Sequence, residues 1–158
     1  GYANIVKKFL KEKYQVKDLL VHVAPITQSR FKKLQETGLE AELYFQNNYA
    51  EIDIFRNGTL EDARLYGDGY DFQVNVDAKT YLAEVKGIRA KKGRFRLTEN
   101  EYLKAQEYKS DFILTLVMNL DDVPNFLVID DPLKNLTFEE KIITPRSTKE
   151  YHLVSDIN

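Results

Sequence analysis

The sequence predicts an α/β domain in which helices flank one mixed central sheet, and three observations support this fold class. An apolar stripe with helical period covers about residues 28–47. Two alternating segments, 70–76 and 80–87, follow each other at the spacing of a hairpin. A capped helical segment at 98–109 then precedes two apolar, β-compatible segments. The late helix would therefore cross between strands of the same sheet.

The composition is that of one globular domain. At 158 residues the chain is long enough for a single hydrophobic core. Hydrophobic residues make up 43% and charged residues 30%, which excludes a collagen-like or disordered chain. The net charge is −2, so an anionic partner has to be met by a local basic patch.

Several functional classes are excluded by residue usage. The chain has no cysteine, which removes disulfides, thiolate zinc sites and cysteine nucleophiles. His22 and His152 are the only histidines, too few for a histidine metal cluster. No segment has the apolar run of a signal peptide or a membrane span, so we expect a cytoplasmic protein without a membrane partner. The start at Gly1, without an initiator methionine, suggests a piece of a larger protein.

The first clear element is a helix. Residues 2–22 have apolar spacings that suggest two short helices, and a stronger pattern follows over about residues 28–47. Its stripe consists of Phe31, Leu34, Gly38, Ala41 and Phe45. Glu42 lies at the margin of this stripe, where a charge is unusual. Taken alone, it is most simply a boundary residue that reaches water.

Strands follow the helix. The segment "YAEIDIF" alternates and ends at the turn signal Asn57-Gly58, which predicts a strand at about 49–56. The segments 70–76 and 80–87 form the predicted hairpin. An even-numbered turn places all their apolar residues on one face, and this selects the register. The expected pairs are Val76 with Tyr81, Val74 with Ala83 and Phe72 with Val85.

A helix and two strands complete the predicted sheet. The segment 98–109 has Thr98 as its expected N-cap and Glu101 three residues further on, the spacing of a capping box. The segments 111–118 and 125–132 are rich in apolar, β-compatible residues. We therefore expect both to be central strands.

The second face of the hairpin collects groups that can do chemistry. In the predicted register Asp71 lies opposite Lys86 and diagonal to Glu84, within cross-strand reach. Two carboxylates and a backbone carbonyl such as that of Val85 suit Mg²⁺, for which Mn²⁺ can substitute. A bound metal lowers the pKa of a water and stabilises charge on a phosphodiester, while Lys86 would orient or deprotonate that water. The hairpin therefore predicts a hydrolytic site.

An ion pair on a solvated sheet face is the alternative explanation. Chance gives roughly one Glu-x-Lys triplet in a chain of this composition, and three occur. The triplet at 107–109 lies on the predicted helix, and the one at 139–141 lies outside any predicted strand. Only the triplet at 84–86 lies on a strand beside an aspartate, and this context makes the catalytic interpretation as strong as the ion-pair one.

A basic loop follows the hairpin. Five cationic side chains fall within eight residues, namely Arg89, Lys91, Lys92, Arg94 and Arg96. Such a run usually marks a solvated loop. Directly after the predicted catalytic strand, in a chain of net negative charge, it predicts contact with nucleic-acid phosphates.

Five segments occur here in an order known from one protein family. They are "GLEAELYF" at 38–45, "GYDF" at 69–72, "YLAEVKG" at 81–87, "FRLTENEYLKAQEYKSDFILTLVMNL" at 95–120 and "NFLVIDDP" at 125–132. Together they resemble the protein NO VEIN C-terminal-like domain, a branch of the PD-(D/E)XK nuclease superfamily found in restriction and defence proteins. The resemblance covers most of the chain, and several ordered motifs are more specific than one triplet.

The resemblance implies a restriction-endonuclease-like core of αβββαβ topology. By position, Asp71 and Glu84 would be metal ligands and Lys86 the catalytic lysine. Glu42 would point into the metal site as a further ligand. Tyr70 precedes Asp71 where the superfamily's name indicates proline, although Gly-Tyr-Asp is usual in this branch.

These inferences divide the chain into three parts: an N-terminal helical extension at 1–27, a nuclease-like core at 28–132 and a C-terminal extension without assigned structure at 133–158. The core is predicted to be a Mg²⁺-dependent DNA endonuclease, the cleavage module of a restriction or anti-phage defence protein. Its partners would be DNA, a second copy, or helicase, ATPase or modification-reader domains of a larger polypeptide. The alternatives are a catalytically silent docking module for nucleic acid or protein and an RNA nuclease, since nothing in the sequence reads a 2′-hydroxyl.

Overall fold

The computed structural model of the chain describes residues 25–143 and 148–158. The two short helices expected within residues 2–22 lie outside this part. The first described element is helix α1, Pro25–Asn48, which confirms the helix predicted at 28–47. No helix in the described ranges combines the length and the apolar character needed to cross a bilayer.

The buried face of α1 differs from the predicted stripe. Gln35 and Leu39 are buried, whereas Leu34, which belonged to the stripe, is exposed. The helix packs closely on the sheet at Gly87, where a Cβ atom would lie 2.9 Å from the Ala41 Cβ. This contact fixes the rotation of the helix about its axis, and the inward face includes Glu42.

The prediction of a strand at 49–56 is wrong. This segment forms two 3₁₀ turns, Tyr49–Glu51 and Asp53–Phe55. Ile52, whose backbone is extended, separates the two turns, and its side chain and that of Phe55 are the buried residues of the segment.

The chain then forms an antiparallel meander. Strand β1 spans Thr59–Asp62, β2 spans Phe72–Val76 and β3 spans Lys79–Gly87. β2 lies between β1 and β3 and pairs with both. The first strand therefore begins after the predicted Asn57-Gly58 turn rather than before it.

The hairpin between β2 and β3 is displaced by two residues from the predicted pairing. Phe72 pairs with Ala83 and Val74 with Tyr81. The turn is shorter than expected and begins at Asp77, whose φ of 53° suits a tight two-residue connection. A shift of two residues keeps each side chain on its predicted face, because the side-chain period of a strand is two.

A parallel crossover completes the main sheet. Strand β4, Arg96–Thr98, leads into helix α2, Glu99–Tyr108, and strand β5, Phe112–Met118, then pairs in parallel with β3. Strand β6, Asn125–Asp130, pairs antiparallel with β5. The sheet order is β1-β2-β3-β5-β6, so β5 is central as predicted but β6 is an edge strand, not a central one.

The main sheet confirms the predicted α/β architecture. A helix, three strands, a second helix and a fourth strand follow each other, with β4 as a short insertion. The sheet is mixed, since β3 and β5 are parallel and its other neighbours are antiparallel. This is the αβββαβ order of a restriction-endonuclease-like core.

The segment after residue 131, which received no assignment from the sequence, is structured. It contains a short helix α3, Pro132–Asn135, and strands β7, Phe138–Ile143, and β8, Thr148–Leu153. β8 lies between β4 and β7 in a second sheet of three strands. Its side chains pack in one buried cluster with β5, a cluster that includes Leu97, Leu114, Leu116, Tyr151 and Leu153.

Replacing Phe45 by alanine is expected to lower the free energy of unfolding by about 3–5 kcal/mol. The ring is fully buried and contacts the rings of Phe55, Phe72 and Phe126. Leu34→Ala on the same helix is the matched control; it should change stability by less than about 0.5 kcal/mol, because Leu34 is 63% exposed. Urea unfolding followed by circular dichroism measures both variants. Equal losses would show that the predicted stripe, and not the observed face, is buried.

Candidate active site

Three buried carboxylates lie in the same region of the core. Glu42 on α1 is 3% exposed, Asp71 just before β2 is 8% exposed and Glu84 on β3 is 2% exposed. Acidic side chains are almost never buried to this degree without partners. Each of them was predicted to be a site residue.

Asp71 is fixed by the backbone of β3. Its N–H donates to the carbonyl of Ala83, 3.0 Å away, and its Oδ2 accepts the N–H of Val85, also at 3.0 Å. Extending the hairpin register by one residue places Asp71 opposite Glu84, rather than opposite Lys86 as predicted. The two carboxylates are therefore direct neighbours.

The loop before Asp71 is held against the start of α2. Gly69 has a φ of +93°, and a Cβ atom there would lie 2.5 Å from the carbonyl oxygen of Asn100. Only glycine fits this close approach without displacing the helix. The position of Asp71 is thus tied to that of α2.

Glu84 carries an unfavourable charge in this setting. Burial raises its pKa well above the usual value, and the neighbouring charges of Asp71 and Glu101 raise it further. Its Oε1 atom is buried and has no hydrogen-bond partner among the described residues. Glu84 therefore has one carboxylate oxygen available to coordinate a cation or accept a hydrogen bond.

Lys86 lies on the same face of β3 as Glu84 and is bound by two acids. Its Nζ atom is 2.8 Å from Oε1 of Glu101 and 3.6 Å from Oε2 of Glu84. Burial alone would lower the pKa of Lys86, but the charges of Glu101 and Glu84 outweigh it and the pKa is raised. A protonated ammonium is a hydrogen-bond donor, so this arrangement favours the orienting role over that of a base.

Glu101 joins the site from α2 and serves two purposes. Its Oε1 accepts the N–H of Thr98 at 3.0 Å while its own N–H donates to Oγ1 of Thr98 at 3.2 Å, which confirms the predicted capping box. The same Oε1 atom accepts from Lys86. Sequence reasoning identified Glu101 as a cap and left it outside the site, because a capping box gives no sign of a contact with a distant strand.

Glu42 is paired with an arginine that the sequence analysis did not single out. Nη1 of Arg64 lies 3.6 Å from Oε1 of Glu42, and Nε of Arg64 donates to Oδ1 of Asp62 at 2.8 Å. The guanidinium also covers the ring of Phe72, 5.1 Å from its centroid. Arg64 lies in an irregular loop, where no periodicity indicates the direction of a side chain.

The residues suit a divalent metal by chemistry, but the described residues do not show a preformed cage. Among them, no group of three or more His, Cys, Asp or Glu side chains is arranged around one point. Arg64 lies against Glu42, and Lys86 lies against Glu84. The available donors are all oxygen atoms, as Mg²⁺ prefers, and Oε1 of Glu84 is uncommitted. The ligand roles of these residues, and of the carbonyl of Val85, stay predictions.

Most of the basic loop is already paired within the chain. Arg89 lies 2.9 Å from Glu40 and 3.1 Å from Asp121. Arg94 pairs with Asp156 at 2.9 Å and Arg96 with Glu150 at 3.6 Å. The remaining cations of the loop are Lys91 and Lys92, which are exposed.

The αβββαβ core, with a buried carboxylate just before β2 and a Glu-x-Lys on the adjacent β3, has the organisation of a nuclease-like α/β fold. The family model described as Protein NO VEIN, C-terminal, matches residues 41–129, more than half of the chain. The chain belongs to this family.

Comparison with other known proteins adds one structure. The chain is similar to the structure of a nuclease from a fusselovirus, with a TM-score of 0.46 and 10% sequence identity. The match covers 73% of this chain and 82% of that one. No curated protein matches the chain.

Replacing Glu84 by glutamine is expected to raise stability at neutral pH. Because the pKa of Glu84 is raised in the folded state, the folded protein binds this proton more tightly than the unfolded chain. The parent therefore loses stability as the pH rises from the ordinary value of 4.5 toward the folded pKa. Glutamine keeps the shape without the charge, so we expect a gain of roughly 1–3 kcal/mol at pH ~7.5 that shrinks toward zero near pH ~4.5.

Urea unfolding of parent and variant at both pH values measures this difference. Glu139→Gln, on the exposed side of β7, is the control and should show no such pH-dependent gain. A loss of stability in Glu84→Gln at the higher pH, or an equal gain at both, would contradict the interpretation.

Replacing Glu101 by glutamine is expected to make Lys86 react faster with an amine reagent. The amide oxygen still accepts the Thr98 N–H, so the helix cap is kept, but the charge that raises the pKa of Lys86 is lost. A larger neutral fraction then reacts, and mass spectrometry measures the labelling rate of Lys86 at pH ~8.5, where we expect a several-fold rise. Glu99→Gln, in the same helical turn, is the control. Unchanged labelling of Lys86 would mean that Glu101 does not hold its proton.

Proposed function

We propose that this domain is a divalent-metal-dependent endonuclease that hydrolyses DNA phosphodiesters, of the PD-(D/E)XK type. The observation that carries the proposal is the meeting of two buried carboxylates, Asp71 and Glu84, with Lys86 on adjacent strands of the αβββαβ core. A buried carboxylate with an uncommitted oxygen costs the fold stability, and such groups are concentrated at functional sites. The family membership supports a role as the cleavage module of a restriction or anti-phage defence protein.

Asp71, Glu84 and Glu42 are the residues that would hold Mg²⁺ or Mn²⁺, with the carbonyl of Val85 as a further donor. When bound, such a cation supplies a water of lowered pKa and positive charge next to the scissile phosphate. The protein's own part is to hold the carboxylates in place. The N–H of Val85 does this for Asp71.

Lys86 supplies the second cationic group of the proposed site. As a protonated ammonium it donates hydrogen bonds to the attacking water or to a phosphate oxygen, and it opposes the negative charge that develops there. Glu101 holds Lys86 at 2.8 Å, so α2 sets the position of this ammonium. Orientation by a fixed donor lowers the barrier because the group needs no reordering during the reaction.

The proposed substrate contact is weaker than the sequence alone indicated. Arg89, Arg94 and Arg96 have acidic partners within the chain, so Lys91 and Lys92 are the members of the loop best placed to meet phosphates. Such contacts do not depend on base sequence. A second copy, or helicase, ATPase or modification-reader domains on the same polypeptide, would then supply affinity and target choice.

A catalytically silent docking module with the same fold is the second candidate. Its supporting observation is that Arg64 and Lys86 already pair with two carboxylates of the acidic cluster in the structure. A module of this kind would bind nucleic acid or protein without cutting. RNA rather than DNA as the substrate is a further alternative, and one assay separates all three.

Replacing Lys86 by alanine is expected to lower Mg²⁺-dependent nicking of plasmid DNA by at least about a hundredfold. The loss follows because no other cation of the described chain lies as close to Glu84. Lys109→Ala is the matched control, since Lys109 belongs to another Glu-x-Lys triplet and should be dispensable. Circular dichroism verifies the fold, and EDTA should abolish cleavage by the parent.

The same assay is run on single-stranded DNA and on RNA. Cleavage of RNA but not DNA would replace the proposed substrate. Binding without cleavage in Mg²⁺ and in Mn²⁺ would support the docking module. Equal activity of Lys86→Ala and parent would show that the nuclease assignment of this site is wrong.

A further inference from the structure

Arg64 has an unusual position for an arginine. It follows β1 in the loop that leads to Asp71, and its side chain is only 8% exposed. Arginine is rarely buried to this extent without a specific partner. Neither the predicted site nor the proposed mechanism gives it a role.

Two carboxylates pair with its guanidinium, and the charge of a third acts on it. Asp62 holds it with bonds to Nε and Nη2, and the backbone N–H of Arg64 donates to the same carboxylate at 3.0 Å. Glu42 lies 3.6 Å from Nη1. The charge of Asp71 acts on it as well. Arg64 therefore interacts with two of the three buried acids of the proposed metal site: it pairs with Glu42 and is affected by the charge of Asp71.

These contacts reduce the repulsion between the buried carboxylates. Carboxylates that are buried close together repel each other strongly unless a positive charge lies between or beside them. In the metal-bound protein a divalent cation would supply this positive charge. In the structure, Arg64 supplies positive charge beside Glu42, and Lys86 supplies it beside Glu84.

The site nevertheless keeps one unsatisfied ligand atom. Oε1 of Glu84 is buried and has no hydrogen-bond partner among the described residues. This atom is independent of Arg64 and marks a position where a further positive group would be stabilised. The cluster is thus neutralised only in part.

We propose that Arg64 is an internal counter-ion that competes with the divalent cation for the acidic cluster and so weakens metal binding. The proposal rests on the function proposed above. Metal binding requires the guanidinium to leave Glu42, while Asp62 can keep it, because Asp62 lies outside the buried set and holds it through separate oxygens. The exchange is therefore a short side-chain movement within a fixed loop.

Arg64→Gln removes the competing charge and keeps a polar side chain in its place. We expect this variant to bind Mn²⁺ and Mg²⁺ at least about tenfold more tightly than the parent in isothermal titration calorimetry, without nucleic acid. Arg56→Gln is the matched control, because Arg56 also pairs with an aspartate, Asp53 at 2.7 Å, but on the exposed surface. Its metal affinity should equal that of the parent.

A second measurement uses the parent alone, so the test survives if Arg64→Gln does not fold. Titration with Mg²⁺ should shift the NMR signal of the Arg64 Nε–H group and leave that of Arg56 unchanged. A parent that binds Mg²⁺ without any change at Arg64 would overturn the proposal.

The outcomes separate this proposal from the proposed nuclease function. If the parent binds metal and cuts DNA, but Arg64→Gln binds metal no more tightly, only the counter-ion proposal fails. If Arg64→Gln binds metal and the parent does not, Arg64 acts as proposed and the parent is not a metal-dependent nuclease. If neither protein binds Mg²⁺ or Mn²⁺, both proposals are wrong.

Discussion

The burial of three carboxylates is the constraint on which the rest of this structure depends. Removing one such charge from water costs several kcal/mol unless it is paired or hydrogen-bonded. Glu42 pairs with a guanidinium from the loop after β1, and Asp71 accepts a backbone N–H of β3. Glu84 pairs with the ammonium of Lys86, two residues further along the same strand. The bond between Asp71 and the Val85 N–H also ties the end of the loop after β1 to β3. A cluster of this kind costs the fold stability, as expected where buried charges are kept for a function rather than for packing.

The parts of the fold that follow local periodicity could be predicted from the sequence. The alternation around the hairpin placed Glu84 and Lys86 on one face, and an error of two residues in register did not matter because the strand period is two. The failures have physical causes as well. The strand predicted at 49–56 failed because its buried residues, Ile52 and Phe55, are three apart, whereas a strand buries every second residue. Arg64 is held by Asp62, two residues earlier, and by the distant Glu42, and ion pairs leave no periodic signal.

The role of Glu101 in the capping box hid its contact with Lys86 from the sequence analysis. A capping box is a frequent local motif that fully explains a glutamate at the third position of a helix. The structure shows the same carboxylate bound to Lys86, so the beginning of α2 is also a wall of the candidate site. Residues with two partners of this kind are found only when the tertiary structure brings both partners into view.

The shared core between the two sheets bears on how such a domain can be moved between proteins. The family match ends at residue 129, yet Tyr151 on β8 stacks on Tyr102 of α2 at 3.6 Å between ring centroids. Helix α2 carries Glu101, so the last strand braces the element that positions Lys86. A graft that stops where the recognisable motifs stop would cut this support away. The transferable unit therefore extends to the strand that carries Tyr151, well past the segment that sequence similarity marks.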